Sequence, residues 1–408
     1  MRLTIINQFY VPDISPTAHL AASLAAHRAA AGDEVTVVSS RGGYVAEAAR
    51  AAADAEENPR VYRLWTPQLG KKTILRRCVD YLSFYVLAWW RMLRLPRQDV
   101  IISLTTPPFI VLTAIAHRML HPDTKIILWN MDCYPEAAER AQKLRAGGAA
   151  ARVMRWVNRG IFRRLAHLVT LDTAMEELLL SQYGPRERAL PATVIPNWEQ
   201  ASFFPSGADH ARWDRMDELG LSGRFVVLYL GNMGVGHRFE TVIDAAERLK
   251  HEPITFLFIG GGARWDEVSE AVRRRGLTNV ILHGYVPKEI TPSVMSSVDC
   301  ALITLRDEAL GVMSPSKLHA NLAMGLPVIY VGPAKSNVDD AIRAFDCGCS
   351  LRHGDVEQLV RFVRAMREDA AAFAALRARA RRAFDEAYCD ERTHAQFDAV
   401  LREVVGAR

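Results

Sequence analysis

Short apolar segments alternate with amphipathic segments along almost the whole chain. Several apolar segments are continuous, such as Val-Val-Leu-Tyr-Leu at 226–230 and Thr-Phe-Leu-Phe-Ile at 255–259. Continuous apolar runs are typical of strands covered on both faces, and the amphipathic segments between them suit the helices that connect parallel strands. The strands predicted on this basis lie at 3–9, 34–40, 61–66, 99–104, 125–130, 168–172, 193–196, 225–231, 255–260, 280–285, 300–305, 328–332 and 349–351.

This alternation predicts an α/β protein with two doubly wound, Rossmann-like parallel sheets, one in each of two domains. A connection is expected at 197–207, where Pro, Gly and polar residues concentrate. We therefore predict a first domain at 1–197 and a second at 208–387, with surface helices in the Ala- and Arg-rich segment 355–388. A last amphipathic helix, within 388–408, is expected to return to the first domain. Ligands of such sheets bind at the carboxyl ends of the strands, so two facing sheets would place a cleft between the domains.

Composition narrows the class of protein. The chain has 408 residues, of which 50% are hydrophobic, and can bury two substantial cores. Its net charge of +5 is too small for a dedicated nucleic-acid-binding protein, although a locally basic face is compatible with it. The six cysteines show no Cys-x-x-Cys pair and no zinc-like spacing, which favours reduced thiols and a cytoplasmic location. The start of the chain has the pattern of a strand rather than of a signal peptide, and no apolar run reaches the ~18 residues of a membrane-spanning helix.

Residues 310–330 contain the strongest chemical signal in the sequence. They predict a loop that enters a short helix at Pro315, Ser316 and Lys317, followed by a Gly-Leu-Pro break and a buried strand. Proline suits the first helical turn, and Ser316 is expected to supply a capping hydroxyl and a free backbone N–H. A helix N-terminus carries partial positive charge and open N–H donors, and Lys317 adds a full charge. The segment therefore predicts a phosphate site; the alternative is an exposed lysine at a helix start.

Short motifs also follow most of the predicted strands. They are Asn-Gln-Phe-Tyr-Val-Pro-Asp-Ile-Ser-Pro-Thr-Ala at 7–18, Thr-Thr-Pro-Pro at 105–108, Met-Asp-Cys-Tyr-Pro-Glu at 131–136, Ile-Pro-Asn-Trp at 195–198, Gly-Asn-Met-Gly-Val-Gly-His at 231–237, Gly-Gly-Gly at 260–262, His-Gly-Tyr-Val-Pro at 283–287 and Pro-Ser-Lys at 315–317. In order and spacing, over nearly the whole chain, they resemble the retaining glycosyltransferases of family 4. These enzymes have the GT-B fold, and the resemblance is to the branch of colanic-acid and O-antigen transferases.

The resemblance implies a hexosyl- or related glycosyltransferase that moves a sugar from a nucleotide donor, expected to be UDP-linked, to an acceptor hydroxyl. It implies retention of configuration at the anomeric carbon and a role in polysaccharide or other glycoconjugate biosynthesis. The acceptor would be lipid-linked or a small molecule, and no nucleic acid is expected as a partner.

The sequence departs from the family pattern at the donor site. The two glutamates that family 4 usually carries correspond to Val312 and Ala320, and the usual Arg and Lys pair corresponds to Asn232 and His237. A catalytically inactive nucleotide-sugar-binding scaffold therefore stays open as an alternative. A UDP-sugar epimerase of the same fold is a second alternative, but it would need carboxylates at the anomeric site. An oxidoreductase is disfavoured because no Gly-x-Gly-x-x-Gly follows the first strand.

The resemblance implies that the second domain binds the donor. Lys317 would bind the diphosphate, His237 or Arg238 would add a second cation, and Tyr285 with Val286 would contact the base. The alternatives are a plain strand-to-helix turn for the glycines and a core position for Tyr285 and Val286. The donor-binding residues implied in this way are Gly231, Asn232, Met233, Gly234, His237, Arg238, Gly261, Arg264, Tyr285, Val286, Met313, Ser314, Ser316 and Lys317. No Asp-x-Asp pair is evident, so we expect no metal and no cofactor, with phosphate charge met by Lys317 and the helix terminus.

The first domain is expected to bind the acceptor. Asp132, at a strand end, could orient an acceptor hydroxyl or take its proton; its alternative is a helix N-cap. His19 is expected to reach the cleft, and its alternative is a partly buried structural histidine. Asp132, His19 and Lys317 are thus the candidate catalytic residues. The acceptor-binding residues implied by the resemblance are Ser15, Pro16, Thr17, Thr106 and Glu136.

Residues 71–94 combine cations with aromatic side chains. Lys71, Lys72, Arg76 and Arg77 precede a helix whose further cations and aromatic residues are Tyr81, Phe84, Tyr85, Trp89, Trp90, Arg91 and Arg94. Such a helix suits the interface of a membrane with anionic lipids. The alternative is a core-packed helix with exposed arginines. We therefore expect a cytoplasmic protein with a peripheral contact at the inner face of the membrane.

Overall fold

The computed structural model describes residues 1–13, 15–41, 58–67, 74–204 and 211–406. Contacts within the chain divide it into two compact units. Unit 1 comprises Met1–Leu171, Met175–Ile195 and His394–Arg408, and unit 2 comprises Asp172–Ala174 and Pro196–Thr393. Each unit has its own parallel sheet, so the predicted α/β fold with two doubly wound sheets is confirmed.

The sheet of unit 1 has seven strands in the order β3-β2-β1-β4-β5-β6-β7, and every neighbouring pair is parallel. The strands are β1 (Arg2–Ile6), β2 (Glu34–Ser40), β3 (Arg60–Leu64), β4 (Val100–Ser103), β5 (Lys125–Trp129), β6 (His167–Thr170) and β7 (Ala192–Val194). The order reverses direction between β1 and β4, where such sheets open a crevice for ligands at the carboxyl ends of the strands.

The sheet of unit 2 has six strands in the order β10-β9-β8-β11-β12-β13, again all parallel. The strands are β8 (Phe225–Asn232), β9 (Ile254–Gly261), β10 (Val280–His283), β11 (Cys300–Thr304), β12 (Val328–Val331) and β13 (Gly348–Leu351). The apolar runs of β8 and β9 are buried on both faces, as expected for central parallel strands. Here the order reverses between β8 and β11, so a ligand crevice is expected beside the end of β8.

Helices connect these strands. They are α1 (Pro16–Ala30), α2 (Ile74–Arg94), α3 (Val111–Leu120), α4 (Glu136–Arg140), α5 (Ala149–Phe162), α6 (Thr173–Tyr183), α7 (Glu240–Arg248), α8 (Trp265–Arg275), α9 (Thr291–Ser296), α10 (Lys317–Ala323), α11 (Asn337–Phe345), α12 (Val356–Glu368), α13 (Ala370–Ala383) and α14 (Asp390–Gly406). None of the helices in the described part of the chain is both long and apolar enough to cross a bilayer.

Two helix layers cover the sheet of unit 1. Helix α1 connects β1 to β2, whereas α2, α3 and α5 precede strands that are added in the opposite direction along the sheet. Because such connections are right-handed, α1 lies on one face and α2, α3 and α5 lie on the other.

The last helix, α14, packs against α1. His394 Nε2 lies 2.9 Å from Ser23 Oγ, and Arg28 donates a hydrogen bond of 2.6 Å to Asp398. Phe397 meets the buried ring of Trp129 edge-on, with 4.7 Å between the ring centres. The final helix of the chain therefore completes the core of unit 1.

Candidate functional site

Glycines allow the carboxyl-terminal ends of β8 and β9 to lie close together. Gly231 pairs with Gly260 in the parallel register, and Asn232 pairs with Gly261. Gly260 has φ +143, and a Cβ at this position would clash with the carbonyl oxygen of Gly231. The close approach of two strands thus explains Gly260 without a ligand. Gly231, with φ +119, differs because its missing Cβ leaves room for a side chain: a Cβ there would lie 3.0 Å from Cε of Lys317.

The ammonium group of Lys317 is held at this edge of the sheet by neutral groups. Its Nζ donates to the Tyr229 hydroxyl at 2.7 Å and to the carbonyl oxygen of Asn232 at 3.2 Å. The Tyr229 hydroxyl in turn donates to the same Asn232 carbonyl at 2.8 Å. Nζ also lies 4.2 Å from the centre of the Tyr229 ring, close enough for a cation–π interaction. Lys317 is therefore fixed in place before any ligand binds.

His237 completes this arrangement as a neutral acceptor. Its Nδ1 lies 2.7 Å from the carbonyl oxygen of Thr304, so Nδ1 must carry the proton. Its Nε2 then presents a lone pair 3.4 Å from Nζ of Lys317. Burial and the neighbouring Lys317 lower the pKa of His237 to about 4. The expectation that His237 supplies a second cation is therefore wrong, because the imidazole is neutral at physiological pH.

The charge of Lys317 has no opposite charge beside it. Burial of this half-buried side chain lowers the pKa of Lys317 to about 7. Across the described residues, none of the ion pairs includes Lys317. An ammonium group that has lost water and gained only neutral partners is stabilised when an anion binds, because an opposite charge favours its charged form.

The start of α10 differs in detail from the sequence prediction. Ser316 is exposed, has helical φ and ψ of −69 and −17, and its hydroxyl makes no capping hydrogen bond. The capping role predicted for Ser316 is therefore wrong. The N–H of Met313 already donates to the carbonyl oxygen of Ala309 at 3.0 Å, so it is not free for a phosphate. By contrast, the N–H groups of Ser314 and Ser316 donate to no backbone oxygen within the described residues.

An apolar rim surrounds this edge of unit 2. Among its described residues four large apolar side chains are exposed, and three of them, Val235, Tyr285 and Met313, lie on the loops that follow β8, β10 and β11. Tyr285 is 66% exposed, so the core alternative for it is wrong. A Cβ on Gly261 would lie 3.1 Å from Cε2 of Tyr285, which places the ring over the end of β9. An open aromatic face of this kind suits stacking with a planar ring.

Three other residues predicted to bind the donor already make contacts within the protein: two arginines form ion pairs and one valine packs against the core. Arg238 is exposed and lies 3.3 Å from Glu240, and Arg264 lies 2.5 Å from Glu267. Each arginine thus has a carboxylate beside it, unlike Lys317. Val286 is half-buried and packs against the apolar core between the sheet and α9.

Asp132 occupies the corresponding edge of unit 1, just after β5. The Thr105 hydroxyl oxygen accepts hydrogen bonds from the N–H groups of Met131 at 3.1 Å and Asp132 at 3.0 Å, and so fixes the backbone. The carboxylate itself makes no hydrogen bond or ion pair with any described residue. Asp132 lines a small cavity with Thr105 and Asn158, and the surrounding protein raises the pKa of this carboxyl group. Its alternative as an N-cap is wrong, because Pro135 holds the N-cap position of α4.

Glu136 is placed differently from the prediction. It is only 5% exposed, its carboxylate accepts a hydrogen bond from the Tyr183 hydroxyl, and it lies 3.5 Å from Nε of Arg155. These contacts connect α4, α5 and α6. The structure therefore contradicts an acceptor contact through Glu136, because its carboxylate is already bound inside unit 1.

The other acceptor-binding candidates lie at the carboxyl ends of β1 and β4. Ser15 Oγ is 3.0 Å from Thr17 Oγ1 at the start of α1, where Pro16 is exposed, and the Thr106 carbonyl accepts from the N–H of Gln8 at 2.8 Å. His19 is exposed one turn into α1, so the partly buried alternative for it is wrong.

The basic and aromatic segment 71–94 is described from residue 74 onward, so Lys71 and Lys72 lie outside the described residues. On α2, Phe84 is fully buried, but Trp89 is 45% exposed and Trp90 is 53% exposed. The guanidinium of Arg94 lies 3.5 Å from the centre of the Trp90 ring. The alternative in which both tryptophans belong to the core is therefore wrong.

Sequence reasoning missed Tyr229, Thr304 and Thr105. Tyr229 lies within an apolar strand, where a tyrosine is indistinguishable from a core residue. Thr105 and Thr304 follow or end buried strands, and only the spatial neighbours reveal which backbone atoms they contact. In the described part of the chain, no group of three or more His, Cys, Asp or Glu side chains could hold a metal ion.

Comparison with known proteins identifies the two halves of the chain. A "Glycosyl transferase 4-like domain" matches residues 17–198, and "Glycosyl transferases group 1" matches residues 224–369. The chain is 26% identical over 272 residues to a probable glycosyltransferase, WbjE, of Pseudomonas aeruginosa, covering 66% of each chain. It is 25% identical over 200 residues to WcaI of Escherichia coli strain K12, a putative colanic acid biosynthesis glycosyl transferase, covering 49% of this chain and 48% of that one.

These matches span at most about two thirds of the length of either relative. The structure is similar over its full length to HepE of Anabaena in complex with UDP and glucose. The TM-score is 0.69 at 14% identity, with 99% of this chain and 100% of that one covered. That likeness establishes the fold, and the two domain matches establish the kind of domain. The chain is therefore a protein of the GT-B fold built from two glycosyltransferase domains.

Proposed function

We propose that this protein is a retaining glycosyltransferase that moves a sugar from a UDP-sugar to an acceptor hydroxyl. The observation that carries the proposal is Lys317, a desolvated cation without an ion-pair partner, fixed at the carboxyl edge of the sheet in unit 2. The unbonded N–H groups of Ser314 and Ser316 lie beside it in sequence. Together they suit a diphosphate, whose negative charge grows as it leaves the sugar. Groups already in place stabilise that charge without reorganising during the reaction.

We propose UDP as the nucleotide because HepE, which shares the fold, is described in complex with UDP and glucose. Tyr285 would stack on the base, since its exposed ring lies over the end of β9. The relatives WbjE and WcaI support a role in polysaccharide biosynthesis, with a lipid-linked or small-molecule acceptor. Unit 2 would then be the donor-binding domain and unit 1 the acceptor-binding domain.

Asp132 is proposed to act on the acceptor. Its carboxylate has no partner among the described residues and a raised pKa, so it is free to accept the hydrogen bond of an incoming hydroxyl. The resemblance to family 4 provides the mechanism: the hydroxyl attacks on the face from which the diphosphate leaves, and the configuration is retained. No metal ion and no cofactor is required in this proposal, because Lys317 and the N–H groups meet the phosphate charge.

An inactive nucleotide-sugar-binding scaffold is the second candidate function. It is favoured by Val312 and Ala320, which place apolar side chains where family 4 usually has glutamates. The same absence disfavours the epimerase alternative. Transferase and scaffold differ in one measurement: a transferase releases UDP from a UDP-sugar when an acceptor extract is added, and a scaffold does not.

The proposal is tested in two steps. Nucleotide sugars are first screened for an increase in the thermal midpoint of the purified protein, since a ligand that binds the folded state stabilises it by mass action. The donor that stabilises most is then incubated with acceptor extract, and the anomeric configuration of the product is determined by NMR. UDP-sugar binding without acceptor-dependent release would support the scaffold, and an inverted product would contradict retention.

We also propose a peripheral contact between α2 and the inner face of the membrane in the cytoplasm. One side of α2 exposes Val79, Leu82, Val86, Trp89 and Trp90. Removing the charges of Lys71, Lys72, Arg76 and Arg77 together should weaken binding to anionic vesicles by about 1 kcal/mol per charge. Trp89→Ala and Trp90→Ala should weaken it even at high salt, where charges are screened. A parent protein that ignores anionic vesicles at low salt would end this proposal.

A further inference from the structure

Exposed apolar side chains in unit 1 are concentrated on one helix layer. Among its described residues ten large apolar side chains are exposed, and nine of them lie on α2, α3 and α5. We call this set the α2–α3–α5 face. Its members are Val79, Leu82, Val86, Trp89, Trp90, Met119, Leu120, Val153 and Trp156. The described parts of α1 and α14, which lie on the other side of the sheet, contribute none, so the concentration is specific to the side that carries α2, α3 and α5.

The three helices are neighbours. Helix α3 packs against both α2 and α5. His117 on α3 lies 2.8 Å from the carbonyl oxygen of Met92, and Arg118 donates a hydrogen bond of 2.7 Å to the carbonyl oxygen of Arg164, just after α5. The exposed side chains therefore belong to one continuous surface rather than to separate patches.

Helix α5 and the residues around it add positive charge to the α2–α3–α5 face. Residues 141–164 contain seven cations and no acidic residue: Lys143, Arg145, Arg152, Arg155, Arg159, Arg163 and Arg164. Arg155 pairs with Glu136 and Glu139, and Arg163 lies 3.5 Å from Glu187. No ion pair within the described ranges includes the other cations of this segment.

The centre of the exposed side of α5 is apolar. Trp156 is 72% exposed and Val153 is 60% exposed. Arg152 and Arg159 are exposed one turn before and after Trp156, so the indole is bracketed by two guanidinium groups. A large ring with an apolar body and an N–H, placed between cations, suits the depth at which lipid headgroups meet acyl chains.

We infer that α5 is a second site of contact with an anionic lipid bilayer, on the same surface as α2. This inference deepens the membrane contact proposed for α2 and rests on it. Acids close to this surface are Asp80 on α2, Asp123 after α3, which lies 3.7 Å from Arg97, and Glu136, Glu139 and Glu187, which lie beside Arg155 and Arg163. The seven cations of residues 141–164 alone outnumber these five acids. The net charge is therefore positive while the centre is apolar, which matches an interface of anionic headgroups over hydrocarbon. Two helices that bind one bilayer together hold the protein more tightly than either alone, because the second contact is intramolecular.

Binding to vesicles of phosphatidylglycerol and phosphatidylcholine tests the inference. Arg152→Gln and Arg159→Gln should each weaken binding about fivefold at low salt, and the effect should vanish at high salt. Arg402→Gln is the matched control, because it removes an exposed arginine from α14, on the opposite helix layer. Trp156→Ala should weaken binding about tenfold at both salt concentrations, since it removes burial rather than charge. All these positions are exposed, so the thermal midpoints should stay at the parent value.

Three outcomes would overturn the inference. If the α2 variants weaken vesicle binding and the α5 variants match Arg402→Gln, only α2 contacts the bilayer. If the parent binds no anionic vesicles, both membrane proposals fail, whereas binding of a UDP-sugar, measured separately, is unaffected. If Trp156→Ala converts a dimer to a monomer and leaves vesicle binding unchanged, the exposed side of α5 is an interface between two copies of this chain.

Discussion

Lys317 in unit 2 and Asp132 in unit 1 both lie at the carboxyl edges of parallel sheets, where the surrounding protein disfavours their charged forms. Burial lowers the pKa of Lys317 to about 7, and desolvation by the surrounding protein raises the pKa of Asp132, although its side chain is exposed. Their partners differ. Lys317 is held by Tyr229, by the Asn232 carbonyl and by His237, whereas the Asp132 carboxylate accepts no hydrogen bond from any described residue.

This difference indicates two kinds of ligand. A fixed cation suits a group whose charge is always in the same place, as in the diphosphate of a nucleotide sugar. A carboxylate that is free to rotate suits a hydroxyl whose position depends on the acceptor. The following experiments test whether Lys317 acts on the donor and Asp132 on the acceptor.

The largest effect is expected from removing the fixed cation. Lys317→Ala should lower sugar transfer by about 10²–10³-fold, or ~2.7–4 kcal/mol, because the developing negative charge loses a pre-positioned partner. Donor turnover is measured with saturating acceptor. Lys250→Ala, which removes a lysine that follows α7 at the opposite edge of the sheet, should turn over donor at the parent rate. Equal turnover in Lys317→Ala and the parent would remove Lys317 from the mechanism.

The free carboxylate should matter for transfer but not for donor binding. Asp132→Asn keeps the size of the side chain and removes its ability to take a proton, so transfer should fall about 100-fold. The affinity for UDP-sugar, measured by calorimetry, should match that of the parent. A loss of donor affinity would contradict the assignment of Asp132 to the acceptor.

Donor affinity should fall as the pH rises through the pKa of Lys317. The side chain binds an anion only when protonated, and an anion raises its pKa above the value of about 7 in the free protein. Affinity for a nucleotide sugar should therefore be close to its maximum at pH 6 and below, about half of that at pH 7, and about fivefold lower again at pH 8. His237, with a pKa of about 4, does not titrate in this range.

Lys317→Arg gives the matched control for this pH dependence. A guanidinium stays protonated throughout the range, so the affinity of this variant should be flat between pH 6 and 9. A parent profile that is equally flat would show that the ammonium is not desolvated as its contacts indicate.

A smaller effect is expected from removing one hydrogen-bond acceptor of the Lys317 ammonium group. Tyr229→Phe removes the hydroxyl that accepts a hydrogen bond from Lys317 and keeps the buried ring. Donor affinity at pH 7 should fall about fivefold, or ~1 kcal/mol, because one hydrogen bond to the charged form is lost. The midpoint of the pH profile should also move to lower pH. An unchanged midpoint would mean that Tyr229 contributes to packing alone.

No effect is expected from removing divalent ions. Transfer measured with excess chelator should equal transfer without it, because Lys317 and backbone N–H groups meet the phosphate charge. Full loss with chelator, restored by Mg²⁺ or Mn²⁺, would show that a metal ion carries part of that charge.

The sequence predicted the two sheets well, because parallel strands covered on both faces leave continuous apolar runs such as 226–230. It also located Lys317 at a turn from loop to helix. The sequence pattern could not predict which residues contact Lys317. Tyr229 and His237 lie 88 and 80 residues away from it in sequence and come into contact with it only in the folded unit.

Protonation states were the least predictable property. The resemblance implied that His237 or Arg238 supplies a second cation, but the carbonyl of Thr304 fixes the tautomer of His237 and burial keeps it neutral. Glu136 was expected to face an acceptor, but Tyr183 and Arg155 bind it inside unit 1. Both errors arise because burial and long-range partners, rather than residue type, decide whether a polar side chain is available to a ligand.

The contact between α14 and α1 has a consequence for biosynthesis. Phe397 is made after the whole of unit 2, yet it is the residue that covers the buried ring of Trp129 in unit 1. On the ribosome, unit 2 can therefore finish folding while unit 1, although synthesised first, still lacks part of its core. A nascent chain stalled before residue 390 would expose that part of unit 1, which makes it a target for chaperones until α14 has been synthesised.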